Sequence, residues 1–128
     1  MSSAPAAALG TFPVSSTAGE AAAFRAATGV ESAGDVLPLT FPMRWLVAPE
    51  IRAALLDAVA DPDVVLVHES QIFDYSHRLR SGESYALSVS ARRESAPDRL
   101  LVDGVISDAS GLELARLETI LRLIKAPV

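Results

Sequence analysis

The apolar positions change period near the middle of the chain, from a helical spacing before Val64 to an alternation after it. Val64-Val65-Leu66-Val67 opens a β-branched run that continues to Tyr75, with Gln71 and Phe73 on the parity of Tyr75, and this predicts a long strand. Ser81-Gly82-Glu83 interrupts it. Tyr85, Leu87, Val89 and Ala91 then alternate with Ala86, Ser88, Ser90 and Arg92, the pattern of a half-buried antiparallel strand. A turn cluster at Ser95-Ala96-Pro97-Asp98, an apolar stretch from Leu100 to Ser107 and a hairpin-type connection at Asp108-Ala109-Ser110-Gly111 extend the meander. Leu112 to Lys125 fits both periods. Leu114, Leu117, Leu121 and Ile124 suit a helix face, while Ala115, Leu117, Thr119, Leu121 and Leu123 suit a strand; residue propensity favours the helix and the preceding hairpin the strand.

Before Val64 the signals are helical. Thr17-Ala18-Gly19-Glu20 fits a capping box, and Gly29 stands where a left-handed cap would end the helix, so the chain predicts a helix over about 18–28 whose one large side chain is Phe24. Gly34, Pro38 and Pro42 make 30–42 an ordered loop or crossing. Pro49 and Glu50 start a second short helix, about 49–60, with Ile51, Leu55, Ala58 and Val59 on one face, and Asp61-Pro62 ends it. Residues 1–9 are a Ser/Ala/Pro segment without period, read as a flexible N-terminus outside the fold, which leaves 10–128 as a single domain. Helices followed by an antiparallel meander define an α+β class.

Composition narrows the function classes. A chain of 128 residues, 50% of them hydrophobic, can bury roughly 65–70% of its unfolded surface and has material for one core. Its net charge of -5 repels a phosphate backbone, so nucleic acid is not an expected partner. With no cysteine there are no disulfides and no thiolate nucleophile, and two histidines alone do not build a metal site, so no cofactor is expected. The first charge is Glu20, and the N-terminus lacks the cationic start of a secretory signal. No apolar run is long enough to span a membrane, and a cytoplasmic location is expected.

Val67-His68-Glu69-Ser70-Gln71-Ile72-Phe73-Asp74-Tyr75, followed by Leu79 and Gly82-Glu83, resembles the second-strand region of MaoC-like hot-dog proteins, in which a His, a Gln, alternating aromatics and a Leu-x-x-Gly turn recur. Pro38-Leu39-Thr40-Phe41-Pro42 is similar to the crossing before that strand in their N-terminal or non-catalytic halves. The resemblance covers about 10–124. It implies a sheet wrapped around a central helix, here 18–28, with 112–125 as a strand and two units paired edge to edge. It also implies thioesters of coenzyme A or acyl carrier protein as ligands. The reaction is that of a lyase of fatty acid metabolism, hydration of 2-enoyl or dehydration of 3-hydroxyacyl chains.

That reaction needs a base for water, an acid for the α-carbon and a donor for the developing enolate oxygen. Active members resemble one another in an Asp-x-Asn-Pro-x-His segment. Here it reads Asp35-Val36-Leu37-Pro38-Leu39-Thr40, so Asp and Pro are kept, but Leu37 replaces Asn and Thr40 replaces His. A threonine does not take a proton from water at neutral pH as an imidazole does. The chain is therefore expected to be a thioester-binding or structural partner, as a homodimer or beside a catalytic hot-dog subunit. The alternative is an active hydratase, dehydratase or thioesterase with relocated chemistry, its catalytic candidates being Asp35 and His68. His68 begins an apolar strand, where a structural histidine is the better reading than a catalytic one, and His77 lies in an Arg-rich turn and is read as solvent-exposed. Thr40, Gln71, Arg78 and Arg80 are the ligand-binding candidates, the two arginines for a phosphate of coenzyme A. Their plainer roles are backbone satisfaction and solvation. Phe41, Met43 and Trp45 suggest an acyl-chain pocket or a dimer seam, although aromatic residues beside a Pro-rich crossing are more often plain core. If 112–125 were helical, a mixed interaction domain without a thioester ligand would be favoured instead.

Overall fold

The computed structural model describes residues 6–32 and 34–125. Five strands, β1 (Ala7–Ser15), β2 (Val64–Tyr75), β3 (Ser84–Glu94), β4 (Arg99–Ser107) and β5 (Glu113–Lys125), form one sheet in the order β1-β3-β4-β5-β2, antiparallel at every pairing. Three helices, α1 (Ala18–Thr28), α2 (Met43–Leu46) and α3 (Pro49–Val59), lie in the connection from β1 to β2. That connection has to carry the chain from one edge of the sheet to the other, and its helices cover one face on the way. The α+β class expected from the pattern is the one observed. Among the described residues no helix is long and apolar enough to cross a membrane.

Both helices form where their caps predicted. In α1 the Thr17 side chain accepts from the Glu20 N–H at 3.0 Å and Glu20 accepts from the Thr17 N–H at 2.8 Å, while Gly29 closes the helix in the left-handed region at φ 71°. Their packing differs from the expectation that 18–28 is the central helix. Only Ala21 of α1 is buried, with Phe24 half-buried, because the helix has no apolar stripe beyond these two. It is α3 that rests on the sheet, against β1 and β3, and buries Ile51, Leu55 and Val59 at i, i+4 and i+8. Ala58, placed on the same face by the pattern, is exposed. Each of those buried side chains contributes about 1.5–3 kcal/mol relative to exposure. The far end of α3 is held by Arg93 of β3, which donates to the Val59 carbonyl at 3.0 Å, a cation at a helix C-terminus.

The segment 112–125 is a strand. β5 lies between β4 and β2 and pairs with both, so ladder hydrogen bonds on two sides outweigh the helical propensity of its leucines. Ala115, Leu117, Thr119 and Leu123 are buried on its inner face. The reading of 1–9 as outside the fold is corrected in part: β1 begins at Ala7, with Ala7 opposite Ala91 and Ala8 opposite Ser90. A register shift between Ala8 and Gly10 breaks its alternation, Gly10 takes a φ of 145°, and Pro13 is tolerated because β1 is an edge strand. Those features hid the strand from a period-two search. Residues 1–5 and 126–128 of the expected terminus and domain lie outside the described residues.

Candidate functional site

A groove of about 170 Å³ opens between the helices and the inner face of the sheet. Met43, Leu46 and Val47 with Leu55 form its helical wall, and Leu66, Val102 and Leu121 its sheet wall. The polar residues on it are Arg52 on the helix side and His68, Gln71 and Thr119 on the sheet side. No carboxylate lines it.

The sheet-side trio is brought together by a fault in strand β2. His68 pairs with Leu121 and Ser70 with Ile120, so Glu69 is an extra residue, a β-bulge. Strict alternation would send residues 68 and 71 to opposite faces. The bulge resets the parity, so that Leu66 and His68 before it share the inner face with Gln71 and Phe73 after it. Glu69 turns its carboxylate to Arg122 at 2.6 Å. Gln71 stands opposite Thr119 of β5, whose hydroxyl donates to Gln71 Oε1 at 2.7 Å. His68 Nε2 lies 3.2 Å from the same oxygen. An amide oxygen only accepts, so Nε2 is the donor of this contact, which leaves Nδ1 directed away from Gln71. Thr119 is one of two buried polar residues of the molecule's described part, at 5% exposure. Sequence reasoning missed it, although a hydroxyl inside the alternation Ala115, Leu117, Thr119, Leu121 was the available signal.

The remaining candidates form a separate cluster around the crossing. Arg80 Nη1 meets Asp35 Oδ1 at 2.6 Å, with the side chains 50% and 59% exposed. The Asp35 carbonyl accepts from the Ser81 N–H at 2.8 Å, and Val36 forms a bridge with Arg80. Arg78 donates to the Leu37 carbonyl at 2.7 Å. These bonds fasten the crossing to the segment after β2, over Leu37 and Leu79, both buried. Tyr85 adds to them by accepting from the Arg80 N–H at 2.8 Å, and burial pushes its phenol above the usual range. Tyr75 donates to the Leu39 carbonyl at 2.5 Å, and its phenol too is pushed up by burial. Thr40 is exposed, its carbonyl accepting from the Met43 N–H in a turn. His77 is exposed, as expected for its turn. The structure therefore joins His68 with Gln71 and joins Asp35 with Arg80, but Asp35 pairs with the arginine and His68 with the amide. Phe41 and Trp45 are core, in an edge-on aromatic series from Phe24 through Phe41 to Trp45, while Met43 reaches the groove.

Solved structures with this arrangement of strands and helices span several thioester-acting proteins. A hot-dog-like protein from Thermanaerovibrio acidaminovorans superposes with a TM-score of 0.67 at 10% identity, covering 91% of this chain and 80% of its own. The fold is the hot-dog fold. The HadBC complex, a 3R-hydroxyacyl-ACP dehydratase from Mycobacterium tuberculosis, gives 0.61 at 16% identity over 86% of this chain and 90% of that one. A 1,4-dihydroxy-2-naphthoyl-CoA thioesterase from Synechocystis gives 0.59 at 17% identity over 91% and 82%. No family model matches the chain, and no curated protein matches it significantly. At such identities the hot-dog likeness fixes the fold, and the chemistry has to be read from the groove.

Proposed function

We propose that this hot-dog chain binds an acyl thioester in the groove under α2 and α3 and does not by itself catalyse hydration or dehydration. The observation that carries this reading is the composition of the groove: apolar walls, a histidine, a glutamine, a threonine, one arginine and no carboxylate. Water addition to an enoyl thioester needs a positioned base together with an acid. The one imidazole there has its Nε2 proton held by Gln71, and the carboxylate of the Asp-Pro motif is 59% exposed in an ion pair with Arg80. A base pair for hydration has to come from another chain, which fits a partner subunit in a hetero-oligomer of hot-dog units. The carrier is coenzyme A or acyl carrier protein.

A second reading, thioester hydrolysis, is favoured by the His68–Gln71–Thr119 array, because it holds His68 beside the groove with Nδ1 directed away from Gln71. The two readings separate in one experiment. The purified chain is incubated with crotonyl-CoA and butyryl-CoA, following loss of the enoyl absorbance and release of free thiol. Binding of both without turnover is expected. Thiol release that is lost in His68→Ala selects hydrolysis, and hydration at ordinary enzymatic rates by the chain alone overturns the proposal.

A further inference from the structure

We infer that the outer face of the sheet, turned away from the helices, is a docking surface for the same face of a second copy of this chain. The inference goes beyond the thioester reading and does not depend on it.

The register of β4, β5 and β2 sets their outward side chains in rows across the strands. In the middle row Leu101 stands opposite Ile120, and Ile120 opposite Ser70. On one side of it Arg99 is opposite Arg122, and Arg122 opposite Val67. On the other side Asp103 is opposite Glu118, and Glu118 opposite Ile72. A row with two large apolar side chains is thus flanked by a basic pair and an acidic pair. Like charges set directly across a ladder destabilise a sheet. The basic pair is relieved within the chain, Arg122 by Glu69 and Arg99 by Glu94. Asp103 and Glu118 are exposed and belong to no ion pair among the described residues.

A second copy supplies the missing cations by symmetry. Stacked sheets lie about 10 Å apart with their strands aligned within about 30°. A two-fold axis between two such faces, running across the strands over Ile120 and Leu101, exchanges the flanking rows and keeps each strand over its own counterpart. Arg122 then faces Glu118 of the second copy, and Arg99 faces its Asp103. Because the contact is isologous, each of these pairs forms twice. The apolar positions obey the same exchange. Ile120 and Leu101, both half-buried, meet their counterparts near the axis, and Val67, 42% exposed, meets Ile72, 53% exposed. The middle row continues to Arg92 of β3, which Glu94 holds at 3.5 Å within the chain. A partner of uniformly acidic or basic charge matches one flanking row and opposes the other, whereas a copy of the same face matches both.

Sedimentation velocity of the full chain, from micromolar to near-millimolar concentration, tests this beside Glu118→Arg and Arg122→Glu. Both positions lie on β5, an interior strand, so neither substitution touches an edge of the sheet and any edge-to-edge assembly is common to all samples. The wild type is expected to form an assembly with twice the copies found for either variant, whose self-association is weakened at least about tenfold. An equimolar mixture of the two variants is expected to regain the wild-type assembly, because one carries carboxylates and the other guanidinium groups at both positions. Equal sizes for wild type and Glu118→Arg at every concentration overturn the inference, and so does a mixture of folded variants that stays dissociated. If Arg122→Glu does not fold once Glu69 has lost its partner, wild type against Glu118→Arg decides alone, since Glu118 has no ion-pair partner to lose.

Discussion

Asp35 with Arg80 and His68 with Gln71 and Thr119 are both polar clusters beside apolar residues, yet their surroundings give them different work. The side chains of the first pair are 50% and 59% exposed, and the bonds around it tie the crossing to the segment after β2 and that segment to Tyr85 of β3. The second stands against an apolar groove, with Thr119 buried, Gln71 half-buried and His68 exposed. A charge pair in water contributes about 0–1 kcal/mol and serves as a fastening, whereas a few polar groups placed on an apolar wall are what orients a bound ligand. The proposed binding is therefore assigned to the cluster with fewer charges.

The largest effect should come from the groove's helical wall. Leu55→Ala, which empties a site shared by the core and the groove, is expected to lower stability by about 2–5 kcal/mol, read as a fall in the urea midpoint at unchanged slope. Next comes the floor. Gln71→Leu leaves the Thr119 hydroxyl unpaired and should cost about 1–3 kcal/mol while weakening acyl-CoA binding. Asp35→Asn, by contrast, should cost no more than about 1 kcal/mol and leave acyl-CoA affinity as it was, since the Asp35 carbonyl keeps its bond to Ser81. A loss of binding in Asp35→Asn comparable to that in Gln71→Leu would erase the distinction between the clusters.

Acid titration extends the contrast to the other surface carboxylates. The Arg93 guanidinium, bonded to Asp98 through two nitrogens at 3.0 and 2.8 Å, holds that carboxyl below its ordinary 3.8. The Ser110 hydroxyl, followed by the backbone N–H groups of the hairpin, holds Asp108 low, and Arg99 does the same for Glu94. A depressed folded value means stability that is complete above the unfolded value and is lost as pH falls through the folded one. The urea midpoint should thus be insensitive to these groups above about pH 5 and fall below about pH 4. Asp98→Asn should flatten part of that fall.

Much of the fold could be read from residues whose signals are local. The Thr17–Glu20 box, Gly29, Pro49 and the alternation from Tyr85 to Ala91 each specify an element without help from distant contacts. What could not be read locally depended on neighbours. Leu112 to Lys125 became a strand only because β4 and β2 flank it, and α3 rather than α1 took the central place because Ile51, Leu55 and Val59 form a stripe that the alanines of α1 do not. In the site, His68 and Gln71 were identifiable as candidates, but their shared face was hidden by the bulge at Glu69, which no period-two pattern anticipates. Asp35 was recognisable by motif, while its pairing with Arg80 required the crossing to lie against residues 79–81.

Chemical-shift mapping of backbone amides during titration with butyryl-CoA and 3-hydroxybutyryl-CoA tests the central claim most directly. The account predicts saturable shifts concentrated at Leu55, Gln71, Val102, Thr119 and Leu121, with Asp35 and Arg80 unmoved. Shifts centred on Asp35 and Arg80, with the groove residues silent, would contradict it.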